Sequence, residues 1–312
     1  MKTIFALTLC LLSALAESAQ AWNRTGHMVV AYIAYSNLDS KTRQRVDDLL
    51  QKHPDYLKWV ERRTIQRAAR GQAAFLNAAA WPDRIRDDPR FFDDNEPPKP
   101  PAYGFPDLGR HQMWHYRDLP FTMDGTPIPK RIVMPNALTQ VALFLKSIGN
   151  PSVAESIQVY ELPWLLHLVG DIHQPLHCVS RFTKTQRDAA TGAFFGDQGG
   201  NLVYVDGERN LHAYWDQLLG GEENEGAVAA LAMDLMNSLR KENPVKADPD
   251  EWTEESVRIA KEFAYSFGAG GSKEKPARLG VRYRAMATRL ARKQAALAGY
   301  RLAATLRAVL GN

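Results

Sequence analysis

The segment Leu166-His167-Leu168-Val169-Gly170-Asp171-Ile172-His173-Gln174-Pro175-Leu176-His177 joins an apolar helical pattern to three side chains that can bind metal. On an α-helix, His167 and Asp171 lie one turn apart and project from the same face. Pro175 is expected to end or kink the helix, which lets His177 turn back toward that face. One such pair, however, is more often part of a buried polar helix than of a metal site.

The segment Asn210-Leu211-His212-Ala213-Tyr214-Trp215-Asp216 repeats this arrangement, with His212 and Asp216 again four residues apart. Two His/Asp pairs on separate helices are the geometry that builds metal sites inside helical bundles. The repetition therefore favours a metal site over two unrelated polar helices.

Two further segments carry weaker signals. Asp83 follows an aromatic residue in Trp81-Pro82-Asp83, and His115 lies between aromatic residues in Trp114-His115-Tyr116. Each is ambiguous by itself, because a lone histidine is more often structural. Of the remaining histidines, His173 lies off the His167/Asp171 face, and His53 and His111 are expected at the surface.

Helical spacing of apolar residues dominates the chain and predicts a mainly α protein with one small β-hairpin. A long irregular loop is expected at 86–113, where six prolines occur. Asp197 to Asn210 reads as the hairpin, with a strand at 202–205 and a turn at Asp206-Gly207. Helices are predicted at about 28–38, 40–51, 60–80, 137–147, 154–174, 210–219, 252–267 and 283–310. Asp39 or Ser40 is expected to cap the helix at 40–51, and Thr253 the helix at 252–267.

The first residues resemble a secretory signal. Lys2 precedes an apolar run that is too short to span a membrane, and Ala19-Gln20-Ala21 is a small-x-small cleavage site. We therefore expect a signal peptide at 1–21, a single domain at 22–312 and a secreted or periplasmic protein. No later segment approaches the roughly eighteen uninterrupted apolar residues of a membrane span.

Charge and cysteine content limit the remaining possibilities. The 39 Lys and Arg residues exceed the 35 Asp and Glu residues, which gives a net charge of +4. This mild basicity suits a polyanionic substrate without requiring one. Cys10 falls in the signal peptide, so Cys178 has no partner within the mature chain and an internal disulfide scaffold is excluded. We expect Cys178 to be a buried bystander.

In order and spacing, these motifs resemble the zinc-dependent single-strand nucleases of the S1/P1 family, which are related to bacterial zinc phospholipase C. The resemblance extends over almost all of 22–312. It implies one helical domain of the phospholipase C/nuclease P1 type. The segments that carry it are Trp22 with Gly26-His27, Trp81-x-Asp83, Trp114-His115-Tyr116, His167-x3-Asp171 through His177, Gly199-Gly200-Asn201, Asn210-Leu211-His212-x2-Trp215-Asp216 and Ala298 to Ala303.

The resemblance also implies three zinc ions held by nine residues. Asp171 would bridge two of the ions, and Trp22 would bind through its backbone carbonyl and through the α-amine that signal cleavage exposes. The sets implied are Asp83, His115, His167 and Asp171 for the first ion; His177, His212 and Asp216 for the second; and Trp22, His27 and Asp171 for the third.

The expected reaction is hydrolysis of a phosphate ester by a zinc-activated water, since paired metal ions can ionise a water and stabilise a leaving oxygen. By resemblance, Asp83, Asp118 and Arg86 are the catalytic residues, with Asp118 orienting the water and Arg86 pairing with the phosphate or with Asp118. Tyr116 is expected to stack on a base and Asn201 to shape the pocket. The substrates would be single-stranded DNA, RNA and 3′-nucleotides, cut by a monomer to 5′-nucleotides.

Two alternatives remain open. A zinc-dependent phospholipase C has a similar set of metal ligands, although Gly-Gly-Asn, Asn210-Leu211-His212 and Asp216 look more like the nuclease branch. A non-catalytic protein whose zinc is structural, or a zinc scavenger, is the other. Structural zinc usually has four closed protein ligands. Nine ligand residues for three ions leave open positions, which favours catalysis.

Overall fold

A computed structural model describes residues 22–60, 67–130, 132–222, 224–238, 248–268 and 270–311. The predicted signal peptide at 1–21 lies outside the described residues. Within them the protein is mainly helical, as predicted. The helices are α1 Arg24–Ser36, α2 Ser40–Gln51, α3 Tyr56–Val60, α4 Arg67–Ala79, α5 Trp81–Arg84, α6 Ala137–Ser147, α7 Glu155–Asp171, α8 Leu211–Asp216, α9 Glu225–Ser238, α10 Pro249–Ile259 and α11 Val281–Leu310.

Side-chain caps explain several helix starts. The Thr42 amide donates to Asp39 Oδ1 at 2.9 Å, so Asp39 caps α2 as predicted. The Ala213 amide donates to Asn210 Oδ1 at 2.8 Å, so Asn210 caps α8, which begins at Leu211 immediately before His212. The prediction for Thr253 is wrong. Asp248 caps α10, while the Thr253 hydroxyl lies inside the helix and donates to Pro249 O at 3.0 Å.

The core is arranged around α1, which packs against α4, α7, α9 and α11. Most of this helix is buried, including Val29, Val30 and Ile33. Helix α11 approaches very closely at Gly299. A methyl group there would lie 2.6 Å from Ile33 Cβ and 2.9 Å from the Val30 carbonyl oxygen. Only a residue without a side chain fits this contact, which places His27 on a helix fixed from several sides.

A three-stranded sheet lies beside the helices, in the order β1 (Leu119–Thr122), β2 (Val179–Arg187), β3 (Phe194–Gly196). Strands β1 and β2 are parallel, with Leu119 opposite Val179, and β3 is antiparallel to β2. The sheet therefore holds the segment after His115 alongside the segment after His177.

The predicted position of the hairpin is wrong, although a small antiparallel pair exists as β2 and β3. Residues 202–205 form only isolated bridges, between Tyr204 and Gly271 and between Val205 and Ala277. Val203 and Val205 are buried against other parts of the chain. Their apolar pattern thus reflects packing and not a ladder with a neighbouring strand.

The proline-rich loop is irregular as predicted, and it is anchored by ion pairs and aromatic contacts. Arg110 Nη1 lies 2.7 Å from Asp93 Oδ1. Phe91 and Phe105 pack against Trp81, two residues before Asp83. The loop therefore supports the segment that carries Asp83.

No helix in the described residues is both long and apolar enough to cross a membrane.

We predict that Gly299→Ala destabilises the fold by about 1–3 kcal/mol, since the added methyl group overpacks the contact between α1 and α11. The measurement is urea unfolding of metal-free protein. Gly221→Ala is the matched control, because a methyl group at Gly221 meets nothing within 4 Å. Equal unfolding midpoints for the two variants would contradict the close contact.

Candidate metal centre

Five buried side chains from four elements meet on one side of α7. His167 and Asp171 lie on α7 itself, and Asp171 is fully buried. His27 comes from α1, Asp83 from α5, and His115 from the end of the 3-10 turn Gln112–His115. The structure thus brings together residues that are up to 144 positions apart, as the sequence motifs suggested.

Asp171 is at the centre of this group, because its two oxygens face different histidines. Oδ1 lies 3.3 Å from His27 Nε2. Oδ2 lies 3.0 Å from His115 Nδ1 and 3.3 Å from His167 Nε2. Asp83 completes the group, with Oδ1 3.8 Å from His167 Nε2 and Oδ2 4.0 Å from His27 Nε2. A carboxylate placed in this way can bridge two cations.

A second group consists of His177, His212 and Asp216. The Nε2 atoms of the two histidines lie 3.0 Å apart, and His212 Nε2 lies 3.7 Å from Asp216 Oδ2. The described part of the chain holds three sets of potential metal ligands, with the ligand atoms of each set within 4.8 Å of one another: His27, His167 and Asp171; Asp83, His115 and His167; and His177, His212 and Asp216.

Main-chain carbonyl groups orient three of the histidines. His167 Nδ1 lies 2.7 Å from Ala79 O, His177 Nδ1 lies 2.8 Å from His115 O, and His212 Nδ1 lies 2.8 Å from Gly199 O. A carbonyl oxygen can only accept a hydrogen bond, so in each neutral ring the proton is on Nδ1 and the lone pair is on Nε2. This is the tautomer found in metal-ligating histidines.

This tautomer provides a test of whether a cation fits. With both protons on Nδ1, the Nε2 lone pairs of His177 and His212 face each other at 3.0 Å and repel. In the first group, His27 Nε2 and Asp171 Oδ1 are buried without a hydrogen-bond partner among the described residues. Buried polar atoms without partners are costly. A bound cation would remove both penalties, so the donor set fits a metal.

The protonation equilibria favour the same occupant. Burial lowers the pKa of His27, His115 and His177 well below the ordinary value for histidine, so the rings are neutral ligands. Burial also raises the pKa of Asp171 and Asp216 well above the ordinary carboxyl value. A buried carboxylate needs either a proton or a cation to offset its lost hydration.

Arg86 lies among these groups and is only 8% exposed. Its Nη2 is 3.1 Å from Asp83 Oδ1, and the guanidinium donates a hydrogen bond to the Tyr116 hydroxyl. Burial is the main cause that lowers the pKa of the histidines in both groups, and the positive charge of Arg86 lowers it further. The histidines affected are His27, His115, His167, His177 and His212. The positive charge of Arg86 therefore acts on the histidines of both groups. Pairing of Arg86 with Asp118 stays a prediction.

Asp118 lies at the start of β1 with a positive φ of 48°. Burial, together with the negative charge of Asp197, raises the pKa of its carboxyl group to about 7. The Arg117 amide, one residue earlier, donates to His177 O at 2.8 Å. Asp118 is thus held beside the turn that carries His177, and its carboxyl group can take up or release a proton near neutral pH.

The first described residues are joined to the second group. The Asn23 amide donates to the Asp216 carbonyl oxygen at 3.2 Å, and Asn23 Nδ2 donates to Gly220 O at 2.6 Å. The Trp22 side chain is fully buried. These contacts hold Trp22 at the C-terminal end of α8, near Asp216. Its role as a metal ligand stays a prediction.

The two predicted substrate contacts have different surroundings. The Tyr116 ring stacks on His177 with centroids 4.7 Å apart, so one ring face is already covered. Asn201 Nδ2 donates to Gln198 O at 2.8 Å, and its Oδ1 accepts from Asn210 Nδ2 at 3.4 Å. Asn201 therefore supports the residue that caps the helix of His212. Base stacking by Tyr116 remains a prediction.

Gly199 has a structural reason to be glycine. Its φ is +62°, and a methyl group there would lie 2.2 Å from the Leu176 carbonyl oxygen and 3.1 Å from His212 Nδ1. A side chain at position 199 would therefore clash with Leu176 and displace the Gly199 carbonyl, which orients His212.

The three histidines outside the metal groups are structural. His173 uses both ring nitrogens, contacting Val169 O at 2.7 Å and Arg301 Nη1 at 2.9 Å. The expectation that His53 lies at the surface is wrong. It is 3% exposed because its ring packs between Trp59, Trp81 and Phe105. His111 is partly buried and stacks on Trp114.

Comparison with known proteins identifies the family of this chain. Residues 22–311 match the family described as S1/P1 Nuclease. Endonuclease 4 of Arabidopsis thaliana is 26% identical over 339 residues, covering 96% of this chain and 93% of the relative. Nuclease S1 of Aspergillus oryzae is 26% identical over 257 residues, covering 77% of this chain and 70% of the relative.

The family match makes the protein a nuclease, a hydrolase whose mainly helical fold holds buried His/Asp groups that can bind metal. The chain belongs to the S1/P1 nuclease family, and the resemblance noted from the sequence motifs is confirmed.

We predict that a chelator lowers the thermal unfolding midpoint by roughly 5–10 °C relative to protein saturated with divalent metal, because ligands at about 100 times their Kd contribute about 3 kcal/mol to stability. Calorimetry with and without EDTA measures the shift. His212→Ala should reduce it, because one group then loses a ligand. A midpoint that does not respond to EDTA would argue against a metal centre.

Proposed function

We propose that this nuclease is an extracytoplasmic trinuclear-zinc phosphodiesterase. It hydrolyses single-stranded DNA and RNA to 5′-nucleotides and has 3′-nucleotidase activity. The observation that supports this proposal best is the arrangement of three groups of potential metal ligands around the buried Arg86 guanidinium. Several cations directed at one place suit the binding of a phosphate group.

The donor set favours zinc. The side-chain ligands are imidazole and carboxylate, without thiolate, as in many hydrolytic zinc sites. When bound, zinc would supply an activated water with a pKa of about 7 and positive charge for the phosphate oxygens. The ions would be held by Asp83, His115, His167 and Asp171; by His177, His212 and Asp216; and by Trp22, His27 and Asp171.

Three residues would act on the phosphate and the water. Arg86 would bind a phosphate oxygen, held in place by Asp83 and Tyr116. Asp118 would orient the attacking water and take up its proton, which suits a carboxyl group whose pKa is raised to about 7. Asp83 would serve both as a metal ligand and as the anchor for Arg86.

Single strands suit this site because the metal groups are buried. A duplex presents paired, stacked bases, whereas a single strand can turn a base toward the protein. Tyr116 is the candidate for stacking, which is worth about 1–3 kcal/mol per base. Asn201 would act on the pocket through Asn210.

The central experiment combines zinc analysis with a substrate panel. We expect three zinc ions per mature chain and hydrolysis of single-stranded DNA, single-stranded RNA and a 3′-mononucleotide, with slower cutting of duplex DNA. Phosphatidylcholine is included because a phospholipase C would cleave it. Cleavage of that lipid without cleavage of nucleic acid would overturn the proposal in favour of phospholipase C.

We predict that Asp118→Asn lowers turnover by about 10²–10⁴-fold, since the amide cannot accept the proton of the attacking water. Zinc content should stay at the wild-type value. Asp94→Asn, an exposed substitution in the proline-rich loop, is the control and should leave turnover unchanged. Near-normal turnover of Asp118→Asn would reject the role proposed for Asp118.

We also predict that one additional residue before Trp22 weakens zinc loading and activity. A free α-amine has a pKa of about 7.7–8.0 and can release its proton to bind metal, whereas an amide nitrogen is a poor ligand. Protein starting at Trp22 and protein starting one residue earlier are compared for zinc content and turnover. Equal values would exclude the terminal amine as a ligand.

A further inference from the structure

Gln174 is a fully buried side chain between two parts of the second ligand group. It follows α7 and precedes the 3-10 turn Pro175–Cys178, which carries His177. Its Nε2 donates to Asp216 Oδ1 at 2.7 Å, and its Oε1 accepts from the Leu176 amide at 2.6 Å. One amide group thus contacts both the turn of His177 and the carboxylate of Asp216.

The contact distinguishes the two oxygens of Asp216. Oδ1 is occupied by the Gln174 amide, while Oδ2 is directed toward His212 and lies 3.7 Å from its Nε2. The carboxylate therefore presents one defined oxygen to the His177/His212 pair. Without the Gln174 donor, the carboxylate could rotate and present either oxygen or both.

The three members of this group are oriented in different ways. His177 and His212 each donate to a main-chain carbonyl, of His115 and Gly199 respectively. A main-chain acceptor persists in every side-chain variant. Asp216 is oriented by a side chain, so this contact can be removed by a single substitution.

We propose that Gln174 is a positioning residue for metal binding by His177, His212 and Asp216. Its amide fixes the ligating oxygen of Asp216, and its carbonyl oxygen fixes the turn that presents His177. The inference rests on the proposed metal centre and adds a residue outside the nine ligands. Partners that orient first-shell ligands typically contribute about 10–100-fold to metal affinity.

Two substitutions separate the donor from the acceptor. Gln174→Met keeps the length of the side chain and removes both hydrogen bonds. Gln174→Asn keeps an acceptor for the Leu176 amide, because asparagine side chains readily bond the backbone two residues ahead. Its amide is one methylene shorter and no longer reaches Asp216. The asparagine variant thus keeps the hydrogen bond to the Leu176 amide and loses the hydrogen bond to the Asp216 carboxylate.

The matched control is Gln158→Met. Gln158 is another largely buried glutamine, at the other end of α7. Its Oε1 accepts from the Gly149 amide at 2.8 Å, and its Nε2 donates to the carbonyls of Asn150 and Val153 at 2.9 Å. It contacts none of the nine ligand residues through these bonds, so it reports the cost of losing a buried glutamine elsewhere.

The experiment measures metal binding without substrate. Each variant, prepared from Trp22, is equilibrated with buffered free Zn²⁺ over several decades, and bound zinc per chain is determined. Co²⁺ is used in parallel, because its visible absorption spectrum responds to the number and arrangement of ligands. His212→Ala identifies the part of the titration that belongs to this group.

We expect both Gln174 variants to need about 10–100-fold more free Zn²⁺ to fill the site that His212→Ala abolishes. The other sites and the Gln158→Met variant should fill as in wild type. The Co²⁺ spectrum of this site should change in both Gln174 variants, since Asp216 is free to bind differently.

Wild-type filling and an unchanged Co²⁺ spectrum in both Gln174 variants would overturn the inference. So would a Gln174→Asn variant that behaves as wild type, since Gln174 would then act only by capping the turn; this variant also decides the question should Gln174→Met fail to fold. Failure of the proposed function has a different signature, namely identical zinc content in the wild type and in His212→Ala.

Discussion

The structure depends on a buried set of lone pairs and carboxylates that lack adequate partners among the residues the structure describes. His177 and His212 face each other with unprotonated nitrogens, and Asp171 directs an unpaired oxygen toward His27. Hydrophobic burial of the surrounding helices forces these polar groups together. The folded protein thus holds buried carboxylates and imidazole lone pairs that a bound cation would stabilise. The close packing of α1, α7 and α11 keeps these groups from moving apart.

The site also shows how a scaffold can orient ligands with main-chain atoms. The carbonyls of Ala79, His115 and Gly199 set three histidine tautomers. Each carbonyl belongs to an element end or turn that the helices and the sheet hold in place. The fold therefore sets the orientation of the potential metal ligands. The segments that carry these carbonyls are as important for the geometry of the site as the ligand side chains.

Much of the helical fold and of the grouping of potential metal ligands could be predicted, because helical spacing places His167 with Asp171 and His212 with Asp216 before any tertiary contact is known. The hairpin was misplaced, since Val203 and Val205 are buried by distant residues and not by a strand partner. Helix α9 was missed, although Val228, Ala232 and Leu235 follow helical spacing. Every residue has a main-chain carbonyl, so the sequence could not show which carbonyls orient the histidines.

The hydrogen bond from the Asn23 amide to the Asp216 carbonyl joins two ends of the site that are 193 residues apart. Closing so long a loop is entropically costly and must await most of the chain. A nascent polypeptide emerging from the ribosome would hold His27 long before it holds Asp216. A partial chain that ends before Asp216 therefore cannot complete the centre, and α1, which carries His27, lacks its packing partner α11 until the last residues have been made.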